Sequence, residues 1–200
     1  MHIKKSRFVL SSPNVKKCPS PDLPEYAFIG RSNVGKSSLL NMLTGKKRIA
    51  KISSTPGKTR LINHFIINEN WYLVDLPGYG YAKVPKTIKQ AWEQIVVDYI
   101  LIRKNLMSLF MLIDSRLPPQ KPDLLFLNFI GTHQVPFVIL FTKSDKLNKQ
   151  QLKNNLVTYQ EQLKKTWEFL PPFIITSAIK KTGREEIISF IEETNKLWEK

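Results

Sequence analysis

Residues 30–37 run Gly30-Arg31-Ser32-Asn33-Val34-Gly35-Lys36-Ser37. Glycines at both ends let the backbone turn tightly and point several N–H groups inward. A helix starting just after adds the positive end of its dipole. That is chemistry for a polyphosphate. Lys36 would reach the β- and γ-phosphates, and the Ser37 hydroxyl would bind Mg²⁺. Ser38, next in the chain, is counted with the loop.

Four further stretches carry chemistry of the same kind. Asp75-Leu76-Pro77-Gly78 closes an apolar run. A carboxylate there holds Mg²⁺ through a water, and the Gly78 N–H faces the γ-phosphate. Thr142-Lys143-Ser144-Asp145 closes another apolar run. Its carboxylate can accept two hydrogen bonds, from guanine N1–H and the 2-amino group. Adenine offers neither donor, so a paired site rejects it. The Lys143 stem covers the base face, and Thr176-Ser177-Ala178 would set a backbone N–H on guanine O6. The fourth stretch is Lys46 to Arg60, basic and free of acids, which leads through Gly57-Lys58-Thr59-Arg60 into Leu61. Long irregular connections are usually functional. In a nucleotide switch a threonine here meets Mg²⁺ and the γ-phosphate. Thr55 and Thr59 both qualify, and Thr59 is preferred because it directly precedes the next strand.

Tyr79 follows Gly78, where many GTPases carry a glutamine that orients the attacking water. Tyrosine cannot do this in the same way. Slow intrinsic hydrolysis is expected, assisted by a partner, a cation or another residue. Lys36, Thr59 and Gly78 remain as γ-phosphate contacts, and no catalytic base is assigned. The Asn33 amide oxygen is a candidate to hold K⁺ beside the phosphates, supplying charge that a glutamine would otherwise organise.

The elements that must position these groups alternate. Tyr26-Ala27-Phe28-Ile29 is a buried strand before the phosphate loop, and a helix follows it, stopped by Gly45. Leu61 to Asn68 and Trp71 to Asp75 form a hairpin about Glu69-Asn70. A helix over Lys86 to Lys104 buries Ile88, Trp92, Ile95, Tyr99 and Ile102. Leu106 to Ile113, Pro136 to Phe141 and Pro171 to Thr176 are strands. The helices between and after them cover Asp123 to Ile130 (stopped by Gly131), a stripe from Leu152 to Trp167, and Gly183 to Trp198. The pattern predicts an α/β, three-layer, doubly wound fold, with a mostly parallel six-stranded sheet and one antiparallel strand. The motifs fall at carboxyl ends of strands, where such sheets bind ligands. Residues 1–23 read as a basic, proline-punctuated arm, with Arg7-Phe8-Val9-Leu10 a candidate edge strand, and 24–200 as the nucleotide-binding domain.

The chain has 200 residues, a formal net charge of +15 and one cysteine, Cys18. The charge favours a polyanionic partner, nucleic acid before an anionic membrane. A single cysteine excludes an intrachain disulfide and suits a reducing cytoplasm. No run approaches a membrane span. The three histidines show no ligand spacing, so no metal or catalytic role is given to them.

Together, G-R-S-N-V-G-K-S-S-L-L-N, T-P-G-K-T-R, D-L-P-G-Y-G-Y-A and T-K-S-D-K-L resemble the bacterial EngB (YihA/YsxC) GTPases, of the TrmE-Era-EngA-EngB-Septin-like group. Ile113-Asp114-Ser115-Arg116 and Trp92 also match that pattern. The resemblance spans roughly residues 24 to 195 and implies a Mg²⁺-dependent GTPase that assists large (50S) ribosomal subunit assembly, linked also to cell division and septation. By the family pattern Ser37 and Thr59 are the Mg²⁺ ligands. A cytoplasmic monomer without stable membrane insertion is expected, with rRNA and ribosomal proteins as partners. The alternative is a membrane- or septum-associated regulatory GTPase, which liposome binding would reveal.

Overall fold

The structure, a computed structural model, describes residues 2–46, 49, 61–79 and 86–198, with only the helical backbone over 86–93. The preferred Thr59, with Thr55, Gly57, Lys58 and Arg60, therefore lies outside the described residues, as do the Ile88 and Trp92 side chains. Strands are β1 (Ser6–Ser12), β2 (Glu25–Gly30), β3 (Ile62–Ile67), β4 (Trp71–Asp75), β5 (Leu106–Asp114), β6 (Phe137–Thr142) and β7 (Phe173–Ile175). Helices are α1 (Lys36–Thr44), α2 (Lys86–Ile102), α3 (Lys121–Thr132), α4 (Lys149–Lys164) and α5 (Arg184–Asn195).

One sheet holds all seven strands in the order β1-β3-β4-β2-β5-β6-β7. β3 runs antiparallel to both β1 and β4, and the other pairings are parallel. The expected single antiparallel strand is thus β3, but the sheet has seven strands where six were expected. The seventh comes from the arm. Asn68 secures it, accepting from Lys4 N and Lys5 N at 2.8 and 3.0 Å and donating to His2 O at 2.7 Å.

Period-two alternation splits the core between the two faces. Tyr26 and Phe28 pack with Leu39, Leu43, Ile187 and Ile191 of α1 and α5. Ala27 and Ile29 pack with residues of α2, α3 and α4, among them Tyr99, Leu127 and Tyr159. Among the described residues no helix is long and apolar enough to cross a membrane.

Several local expectations shift. Asn68 and Glu69 have φ of 50° and 57°, so the hairpin turns one residue earlier than Glu69-Asn70. Ile102 is 59 % exposed, and Val96, Tyr99 and Ile100 form the inward stripe of α2. Gly131 does not stop α3, which continues to Thr132. A Cβ there would collide with the Trp167 ring, so this glycine serves helix packing. The last helix ends at Asn195, short of Trp198.

The sheet's far end is tied by a buried ion cluster. Glu25, fully buried, accepts from Tyr99 Oη at 2.6 Å and from Arg103 Nε and Nη2 at 2.9 and 2.6 Å. His64 Nε2 lies 3.2 Å away, and Arg103 Nη2 also reaches Pro19 O at 2.6 Å. Burial would push the Glu25 carboxyl up, but the Arg103 guanidinium and the His64 ring outweigh it and bring it down to about 2. A depressed folded pKa gives stability that is present above the unfolded value of 4.5 and is lost as pH falls toward 2. Glu25→Gln leaves the Arg103 charge buried without its counter-charge. It is expected to cost about 3–5 kcal/mol in denaturant unfolding at neutral pH and to remove much of the stability change between pH 4.5 and 2.

Candidate functional site

The phosphate loop leaves β2 with its backbone already in the curved form. Gly35 and Asn33 have φ of 105° and 61°. A Cβ on Gly30 would meet Val34 Cγ1 at 2.8 Å and Leu112 O at 2.9 Å, so only glycine fits there. Ser32 and Asn33 are exposed, Val34 is buried, and Ser37 and Ser38 stand exposed on the first turn of α1.

Lys36 Nζ contacts Asp75 Oδ1 at the end of β4 and donates to Leu76 O at 2.9 Å. Asp75 is 3 % exposed and has Asn63 Nδ2 at 3.5 Å. Leu76 N donates to Phe28 O at 3.1 Å, which fixes the start of Asp75-Leu76-Pro77-Gly78 beside the phosphate loop. Leu61, half-buried, leads into β3 and hence to Asn63.

The loop after β6 is bound to the phosphate loop. Thr142 Oγ1 donates to Val34 O at 2.6 Å, and Lys143 Nζ donates to Asn33 O at 2.6 Å. The Lys143 stem lies over Gly35, its Cε 3.6 Å from where a Cβ would stand. The loop after β7 joins them. Ser144 Oγ donates to Thr176 O at 3.0 Å, Ser177 Oγ donates to Asp145 Oδ1 at 2.7 Å, and Ala178 packs on the core. The Ser177 hydroxyl holds the Asp145 carboxyl below its ordinary range, so it is an ionised acceptor at neutral pH. The structure therefore gathers the residues of 30–38, 75–78, 142–145 and 176–178 at one end of the sheet.

Two acids without an assigned role also belong here. Asp114, at the end of β5, accepts from Lys143 Nζ and Arg116 Nη2, both at 2.8 Å, and so orients the Lys143 stem. Its position at a strand end was the available signal. Asp123 is 3 % exposed in the first turn of α3 and accepts from Tyr79 Oη at 3.0 Å. Arg31 Nη1 stands 3.8 Å from it, and a backbone bridge joins Arg31 to Tyr79. The Tyr79 ring stacks on Phe126 with centroids 4.9 Å apart. Burial pushes both the Tyr79 hydroxyl and the Asp123 carboxyl up, so their hydrogen bond keeps its proton on the tyrosine side. Tyr79 thus anchors the end of Asp75-Leu76-Pro77-Gly78 to α3. Tyr79→Phe is expected to change single-turnover GTP hydrolysis by less than about threefold, while lowering stability by about 1–3 kcal/mol through loss of the bond to buried Asp123. A hundredfold loss of rate would instead place the hydroxyl in the chemistry.

A metal suits the donor set. The Ser37 hydroxyl and Asp75 carboxylate are hard oxygen donors, and Asp75 already attracts a cation, the Lys36 ammonium. Among the described residues no group of three or more His, Cys, Asp or Glu side chains is gathered for a metal. An ion here would complete its shell from hydroxyl and phosphate oxygens.

A curved phosphate loop after β2, a carboxylate ending β4 and a T-K-x-D loop after β6 define a nucleotide-binding P-loop domain of the GTPase type. The 50S ribosome-binding GTPase family matches residues 25–143. "Probable GTP-binding protein EngB" of Porphyromonas gingivalis is 57 % identical over 195 residues, covering 98 % of this chain and 97 % of that protein. The protein of the same description from Bacteroides fragilis is 56 % identical over 196 residues, covering 98 % of each. The crystal structure of a probable GTP-binding protein engB superposes with a TM-score of 0.66 at 27 % identity, covering 87 % of this chain and all of that one. The chain belongs to the EngB family of P-loop GTPases.

Proposed function

We propose that this protein binds GTP with Mg²⁺, hydrolyses it slowly, and uses its nucleotide state to gate association with the large ribosomal subunit during assembly, with a consequence for cell division and septation. The observation that carries the GTP reading is the joining of the Asp145 loop to the phosphate loop through Thr142 and Lys143. Base and phosphates would then be read by one rigid unit. The ribosomal reading rests on family membership and on the net charge of +15.

In this reading Asp145 accepts guanine N1–H and the 2-amino group, Ser177 holds that carboxylate, and the Ala178 backbone faces O6. Lys36 exchanges Asp75 for the β- and γ-phosphates. Ser37 and, by the family pattern, Thr59 would hold Mg²⁺, with Asp75 acting on it through a water. Mg²⁺ held there would supply positive charge to the phosphates. In hydrolysis the bond between the γ-phosphorus and the bridging oxygen breaks. Water supplies the new oxygen, and GDP and phosphate leave. The γ-phosphate would draw in Thr59 and the Gly78 N–H, so hydrolysis would release those contacts and the basic surface beside them. The machinery lies within 24–200; the segment 1–23 contributes β1 and its cations. The protein acts as a monomer in the cytoplasm.

Asn33 is exposed on the phosphate loop, and in this reading its amide oxygen would hold a K⁺ beside the phosphates. Hydrolysis is expected to be faster in K⁺ than in Na⁺, and equal rates would remove this role. Adding purified large subunits tests the wider reading. Single-turnover hydrolysis should accelerate; an unchanged rate at saturating subunit, with no change in nucleotide affinity, would contradict it.

A further inference from the structure

The loops after β5, β6 and β7 are stitched into one surface around the candidate guanine pocket. Asn155 Nδ2 of α4 donates to Ser115 O at 2.8 Å, and Lys180 N donates to Ser177 Oγ at 3.0 Å, which in turn bonds Asp145. Arg116, Lys146, Lys149, Lys153, Lys180 and Lys181 are exposed on this surface. The segments 115–121, 146–160 and 178–184 contain no Asp or Glu. The nearby carboxylates are committed: Asp114 to Arg116 and Lys143, Asp145 to Ser177, and Asp123 to Tyr79. At the start of α5, Glu185 pairs with Arg184 at 2.7 Å, and Arg184 also binds Met42 O and Leu43 O of α1.

Lys149 and Lys153 are exposed one turn apart at the start of α4, whose Tyr159 and Leu163 are buried further along the helix. Two apolar tips lie among the cations, Ile179 at 72 % and Leu117 at 41 % exposure. Long, unneutralised lysines at helical spacing suit a line of phosphates, and exposed apolar tips suit sugar and base faces. We propose that this surface, formed by the loops after β5, β6 and β7 with the first two turns of α4, binds the phosphate backbone of RNA. The inference rests on the large-subunit reading and names the part of the protein that makes the contact.

The test compares the wild type with a Lys149→Ala/Lys153→Ala/Lys180→Ala variant. Their affinities for purified large subunits and for protein-free RNA from those subunits are measured across a KCl series, with the GTP analogue bound. Each lost phosphate contact lowers the log–log salt slope by about 0.9, so the variant should lose about two to three from the slope. Its affinity near physiological salt should fall by about a hundredfold, with GDP affinity and melting temperature unchanged. A Lys4→Ala/Lys5→Ala/Lys16→Ala variant, with the same change in net charge, should keep most of the slope. An unchanged slope for the first variant overturns the inference, as does an equal loss from the second. Wild-type binding to subunits but not to free RNA, abolished in the first variant, assigns the surface to an acidic protein and also overturns it. No wild-type binding to subunits in any nucleotide state removes the large-subunit reading itself, and this inference with it.

Discussion

Asp145→Asn should lose GTP and gain XTP. Asp145 is placed to accept twice from guanine, and its neighbours keep it ionised: the Ser177 hydroxyl at 2.7 Å, and Lys146 with its ammonium 3.9 Å away. An amide in its place would turn N–H donors toward the donors of guanine. Sites built on paired polar groups discriminate strongly when one partner is lost. GTP affinity is expected to fall by about a thousandfold. Xanthine carries a carbonyl where guanine has its 2-amino group, and the amide N–H can donate to it. XTP should therefore bind the variant better than GTP does, in a fold whose stability is nearly unchanged because the amide oxygen still accepts from Ser177. Equal GTP affinity in wild type and variant would move the base out of this pocket.

The second large effect is at Lys36. Its ammonium stands between the carboxylate that ends β4 and the mouth of the phosphate loop, in contact with Asp75 and 2.9 Å from Leu76 O. Lys36→Ala removes the one side-chain cation of 30–38 that lies at the helix start. GTP affinity should drop by about a hundredfold or more, with single-turnover hydrolysis falling by about 10²–10³. Lys36→Arg offers a control. It keeps the charge, but a planar guanidinium does not fit the space of a point ammonium, so it should recover stability and not the rate. The readouts are equilibrium titration with a fluorescent nucleotide and a single-turnover assay.

The parts of this site written as contiguous residues were legible in the sequence. The phosphate loop, Asp75-Leu76-Pro77-Gly78, Thr142-Lys143-Ser144-Asp145 and Thr176-Ser177-Ala178 each pair a local residue pattern with a strand end. The doubly wound sheet follows from strands that are apolar throughout. What sequence could not supply was pairing across the chain. Asp123 lies 44 residues from the Tyr79 hydroxyl it accepts, and Asp114 lies 29 from Lys143; no spacing rule links either pair. β1 was legible in part: Arg7-Phe8-Val9-Leu10 read as a candidate edge strand and lies within Ser6–Ser12. Its partner β3, and the Asn68 contacts with residues 2–5 that continue the pairing, are distant in sequence. Gly131 looked like a stop because its packing partner, Trp167, is distant in sequence. The exposed Ile102 fits the same explanation, since period alone does not say where a helix outruns the sheet it covers.

The most direct test of nucleotide gating is co-sedimentation with purified large ribosomal subunits, run with GDP and with a non-hydrolysable GTP analogue at matched occupancy. The expected result is association with the analogue and release with GDP, a difference that the γ-phosphate alone can cause. Equal association in both states, or none in either with GTP affinity intact, would contradict it.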